Sequence, residues 1–215
     1  MKNNTIDSKL LSAQVAIDNA LGNVPVKSAL AMFGYDETKL NEGKALYEQA
    51  LTSQTSQKQE YGEQFTATDA LDSALSLANS VYMRHVKVAR VALKGNRGAW
   101  QTLDLDGRRK KSYSGWVKQS KVFYTNALAG ESLKATLTTY GMTDTVLTDA
   151  LSKVKDVETK LAAQLKEKGD AQSATEIRDT AFDDLQDWMS DFITIARVAL
   201  EGQPQLLESI GIVKA

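Results

Sequence analysis

No cysteine occurs in the chain. That single absence excludes disulfides, thiolate metal sites, iron–sulfur clusters and cysteine nucleophiles together. Histidine is nearly absent too, with His85 the sole imidazole in 215 residues. A di-metal carboxylate centre of the helical-bundle kind requires Glu-x-x-His on two helices. One histidine, with no acidic residue three places before it, cannot supply that. No Ser-His-acid set can be proposed on spacing either, and GNRG at 95–98 lacks the Gly-x4-Gly-Lys-Ser/Thr pattern of a phosphate loop. No cofactor or metal is therefore expected, and enzymatic activity is not favoured.

Neither sign of charge is in excess, with 26 basic against 27 acidic side chains. Net charge thus gives no reason to expect a polyanionic partner, and any electrostatic role must come from a local patch. The opening MKNNTIDSKLLSAQVAIDNAL has no unbroken apolar stretch of signal-peptide length, and nothing later approaches the roughly 18 apolar residues of a membrane span. A cytoplasmic protein without a membrane span is the expectation. Proline is scarce, with only Pro25 and Pro204, while Ala, Leu, Lys, Glu and Gln abound. That is the composition of helices.

What the chain does have is an internal repeat. ARVALKG at 89–95 returns as ARVALEG at 196–202, an offset of 107 residues. The same offset places Asn19-Ala20-Leu21 on Asn126-Ala127-Leu128, and Gly34, Gly62 and Gly95 on Gly141, Gly169 and Gly202. Of the 108 pairs so aligned, 23 are identical and no gap is needed. Convergence of similar helices would not hold glycines in register, because glycine marks places where the backbone turns. The sequence therefore predicts an all-α fold built by tandem duplication, with repeat units 1–107 and 108–215 packed together, resembling a homodimer fused into one chain. Whether the chain is monomeric or dimeric is left open.

Local signals place the helices. Asp36 and Thr143 suit N-caps, each followed four places on by Leu40 or Leu147 and preceded by Tyr35 or Met142, the pattern of a hydrophobic staple. Helices are expected to start near 37 and 144, after an N-terminal helical region broken near Gly22 and Gly130. Gly62 and Gly169 read as helix ends, with Thr66/Asp69 and Ser173/Glu176 as capping boxes that open the next helix. Each unit then contains an antiparallel hairpin of two long helices, plus a short closing helix that begins at Pro204 in the second copy. The core seam is expected at Leu75, Ala78, Tyr82, His85, Ala89 and Ala92. Its copy is Phe182, Leu185, Met189, Phe192, Ala196 and Ala199.

Arg90 and Arg197 stand inside the repeated apolar phrase, where a buried guanidinium needs a partner. Hairpins centred near 64 and 171 would set them opposite Glu37 and Asp144. The expectation is a pair of structural ion bridges, Arg90–Glu37 and Arg197–Asp144, so that the phrase is a packing element and His85 a core histidine.

Two surface features stand out. Asp179, Asp183, Asp187 and Asp191 recur every four residues, a spacing at which like charges cost a few tenths of a kcal/mol per pair. They suggest either a face that docks a partner or one neutralised locally by Lys155 and Lys160 across the hairpin. GRRKKSYSGWVKQSK at 107–121 carries six basic residues and no acidic one, with Tyr113 and Trp116 between them. Arg108, Arg109, Lys110, Lys111 and Trp116 could hold phosphates and stack a base, or form a solvated linker between the units. The leading expectation is a non-enzymatic interaction or scaffold protein presenting helix faces to a protein partner. The alternative is nucleic-acid or anionic-surface binding through 107–121, and a third reading is a helical-bundle ligand carrier or enzyme.

Overall fold

The computed structural model describes residues 5–213. Among them the chain forms helices and no strands: α1 (Ile6–Gly22), α2 (Val24–Ala31), α3 (Glu37–Ala92), α4 (Arg97–Thr102), α5 (Tyr113–Ala129), α6 (Glu131–Thr138), α7 (Asp144–Ala199) and α8 (Pro204–Ser209). Each of the first four has a counterpart whose bounds lie 107 residues on. No helix among the described residues is long and apolar enough to cross a membrane.

The helix starts follow the caps. Asp36 Oδ1 accepts from the Lys39 amide at 2.9 Å, and Thr143 Oγ1 accepts from the Val146 amide at 3.4 Å. The staple residues Tyr35 and Leu40 are buried in one core, Met142 and Leu147 in another. The breaks near 22 and 130 fall at Asn23 and Gly130, where extended backbone separates α1 from α2 and α5 from α6. Gly34 and Gly141 take φ of 83° and 80°, which lets the chain reverse just before each long helix at no side-chain cost.

The hairpins do not form. α3 and α7 are each uninterrupted helices of 56 residues that run through Gly62 and Gly169. Neither glycine has positive φ, so neither makes the left-handed turn that ends a helix. Thr66, read from sequence as a cap, instead turns its hydroxyl back to the Gly62 carbonyl at 2.9 Å, the i−4 bond of a helix interior. Glycine inside a helix costs about 1 kcal/mol relative to alanine, too little to break a helix with long packed faces.

Compactness follows a different division from the sequence repeat. One unit comprises Met1–Tyr61 together with Asp170–Ala215, the other Gly62–Gly169. Units 1–107 and 108–215, as read from the sequence, are thus not the compact ones, because a helix that fails to turn at Gly62 or Gly169 carries its second half away from its first. Each compact unit instead joins the first half of one repeat to the second half of the other.

In the unit of 1–61 and 170–215, α1, α2 and the start of α3 close on the last part of α7 and on α8. Its core contains Ile17, Leu30, Leu40, Leu185, Phe192 and Ile210. Trp188 stacks on Phe192 with centroids 5.2 Å apart, and Tyr35 meets the Trp188 ring edge-on at 5.6 Å. In the unit of 62–169, the rest of α3 and α4 close on α5, α6 and the start of α7. There the core contains Leu71, Tyr82, Phe123, Tyr124, Leu137 and Leu147. The seam expected from the sequence is the buried face in both units, with Tyr82, Ala89, Phe192 and Ala196 at 0% exposure. The phrase ARVAL is not apolar all round in its setting: Val91 and Val198 are 65% and 52% exposed.

Candidate functional site

The arginines of the repeated phrase do not meet their expected partners. Glu37 and Arg90 stand at opposite ends of one helix, as do Asp144 and Arg197, so no side chain can bridge them. Arg90 donates through Nε and one terminal nitrogen to the Leu105 carbonyl, at 3.2 and 2.7 Å. Arg197 makes no hydrogen bond or ion pair among the described residues. The repeated ion pairs are different ones: Lys27 with Glu37 at 2.9 Å, and Lys134 with Asp144 at 3.3 Å. Both tie the short second helix of a repeat to the start of its long helix. The sequence named the right acids and the wrong bases.

His85 is a core histidine. Its Nδ1 lies 3.0 Å from the Tyr124 hydroxyl, and it is 7% exposed. Burial first, and then the nearby Arg84 charge, hold its pKa below the usual 6.5. Tyr124, deeply buried beside Tyr82, is pushed well above the ordinary tyrosine range. This pair sits among Tyr82 and Phe123, with ring centroids 5.0 to 6.0 Å apart, and presents no open face to a substrate.

The basic segment is only partly a surface. Arg109 donates to the Tyr82 hydroxyl at 3.0 Å and to the Asp104 and Asp106 carbonyls at 2.7 Å each. Trp116 is 4% exposed, and its indole nitrogen donates to Asn79 at 2.8 Å. These two side chains lock the segment before α5 onto α3, so the stacking platform expected at Trp116 is not offered to a base. Tyr113 is held by a 2.6 Å bond from its hydroxyl to Asp72, and that bond raises its pKa. Arg108, Lys110 and Lys111 remain exposed.

The acidic face lies on the last part of α7. Asp179 pairs with its neighbour Arg178. Asp183, Asp187 and Asp191 are exposed and make no hydrogen bond or ion pair among the described residues. The lysines expected opposite them belong to the other compact unit, and Lys160 pairs with Asp156 on its own helix at 3.7 Å. Asp191 does act at a distance, since its charge contributes to the raised pKa of Tyr35 after burial, the larger cause. Asp183, Asp187 and Asp191 thus recur every four residues as exposed carboxylates, with Lys39 near the last of them.

No protein-family model, curated protein or solved structure shows significant similarity to the chain.

Proposed function

We propose that the protein is a non-enzymatic helical interaction protein whose α7 acidic face docks a partner protein with a basic surface. The observation that carries this reading is the unpaired run Asp183, Asp187 and Asp191. Like charges at that spacing oppose one another, and none of the three forms an ion pair among the described residues, although Lys39 stands near enough to Asp191 to feel its charge. A docked basic surface would relieve that repulsion and would add electrostatic steering to the encounter. The same reading takes the 107-residue recurrence as a tandem duplication and the protein as cytoplasmic.

The second reading, nucleic-acid or anionic-surface binding through 107–121, rests on the exposed Arg108, Lys110 and Lys111 without the buried Trp116 ring. One experiment separates the two. The wild type and a variant carrying Asp183→Asn, Asp187→Asn and Asp191→Asn are used as baits in source lysate, at low and moderate salt, with and without nuclease. A protein retained by the wild type under nuclease and lost by the variant is the expected result. Retention of nuclease-sensitive material alone, unaffected by the three substitutions, would overturn the acidic-face reading in favour of the basic segment.

A further inference from the structure

The surfaces of the two compact units differ, and one of the differences leaves a space. In the unit of 1–61 and 170–215, a groove of about 680 Å³ runs between α1 and α7, with Gly211–Val213 along its rim. Lys9, Ser12, Met189, Ile193 and Arg197 line it, and no Asp or Glu does. The other unit shows what the fold places at the equivalent position. There Trp116 and Gln119 stand where Lys9 and Ser12 stand here. The Trp116 indole donates to Asn79 and meets Tyr82 edge-on at 5.9 Å. Gln119 joins Asp104 to the Lys110 amide at 2.8 and 3.0 Å, and Arg109 covers Tyr82.

The counterparts of those anchoring residues, Gln186 for Asn79, Met189 for Tyr82 and Gly211 for Asp104, all line the groove. The groove therefore lies where the other unit buries the Trp116 indole. Lys9 does not refill it, because its ammonium is turned to the Phe182 ring at 5.3 Å. Position 2, the counterpart of Arg109, lies outside the described residues. Arg197 is also changed in circumstance: Arg90 spends its guanidinium on the Leu105 carbonyl, while Arg197 has no such bond.

We propose that this groove binds a small aromatic carboxylate, its ring in the place that the Trp116 indole holds in the other unit and its charge met by Arg197. The volume is that of an ordinary small-ligand site. Met189 offers a polarisable sulfur to the ring, the Gln186 amide can accept from a ring N–H, and a guanidinium matches a carboxylate in two parallel bonds. The Arg197 guanidinium, without a lining carboxylate, selects an anion over a neutral or cationic ring. This inference is independent of the acidic face, with which it shares no residue.

The test uses the full chain with labelled methionine methyl groups, titrated with indole-3-acetate as probe. A saturable shift of the Met189 signal is expected, with a Kd of about 1 mM or tighter for a ligand of this size. Tryptamine, which keeps the ring and reverses the charge, and acetate, which lacks the ring, should leave Met189 unmoved. Arg197→Gln should weaken binding at least about tenfold, and Lys9→Trp, which restores the other unit's plug, should abolish it. If Lys9→Trp loses its helical circular dichroism, Ser12→Trp fills the same space from an exposed position. Absence of a saturable shift, equal binding of tryptamine, or undiminished binding in a folded plug variant would each overturn the proposal.

Discussion

At the scale of single residues, the 107-residue offset gives most described side chains a counterpart to compare with. His85 corresponds to Phe192, and both are buried in the seam. Burial holds the His85 pKa below its unfolded value of 6.5, so the folded state disfavours the imidazolium. Its contribution is complete above about pH 6.5 and is lost as pH falls below that, because the unfolded chain then binds the proton more readily. The melting temperature should therefore decline between pH 6.5 and 5 more in the wild type than in His85→Phe, measured by circular dichroism in parallel buffers. A second residue pair tests packing. A Cβ added at Gly43 would lie 2.4 Å from the Trp188 ring, whereas the counterpart pair is Ala150 and Val81. Gly43→Ala should cost about 1–3 kcal/mol by overpacking. In a Trp188→Val background the same change should become neutral or gain up to about 1 kcal/mol of helix propensity. Chemical denaturation of the four proteins gives the cycle, and additivity would show that the ring yields.

Among elements, helix starts were legible and helix continuity was not. Asp36, Thr143, the staple residues and Pro204 each act through neighbours a few places away, so their chemistry can be read in order along the chain. Gly62 and Gly169 are ambiguous to such a reading, since a glycine ends a helix only if it adopts positive φ, and that depends on what packs around it. Here the flanking faces are buried in two cores, and the helix runs on. The ion-pair expectation for Arg90 and Arg197 rested on the turn and failed with it, although Lys27 and Lys134 sit at identical repeat positions and could have been chosen. The continuity makes a signed test possible. Nothing lies within 4 Å of a Cβ at Gly62 or Gly169, so Gly62→Ala and Gly169→Ala should each stabilise by about 0.5–1 kcal/mol. A hairpin with a left-handed glycine at those positions would be destabilised instead. Gly34→Ala, where φ is 83°, is the control that should destabilise.

For the whole molecule, the repeat told the 107-residue spacing of equivalent helices but neither their number nor which halves associate. The signal that separates the two arrangements is weak, because the alternative partners resemble each other: Ala74, Ala89 and Leu93 on one long helix match Ala181, Ala196 and Leu200 on the other. Likewise the groove was hidden in a mismatch, Lys9 against Trp116, that acquires meaning only once both are placed in space. The exchange of halves has a consequence for the fragments. Residues 108–169 pack with 62–107, and residues 170–215 pack with 1–61, so an isolated 108–215 fragment has two apolar faces and neither partner. Burying those faces is the main force toward order, and a second fragment offers the nearest substitute, its 170–215 segment taking the part of 62–107. The fragment should therefore sediment as a dimer, dissociating and losing helicity together on dilution, because folding and association become one equilibrium. Asn126 gives a local readout, since its amide donates to the Thr102 carbonyl at 2.7 Å in the intact chain and would find Ser209 of a second copy in the same role, as Asn19 does at 2.7 Å. A folded, concentration-independent monomer would mean that the long helix bends at Gly169 when its partner is removed, and that the exchange is a choice made by the joined chain.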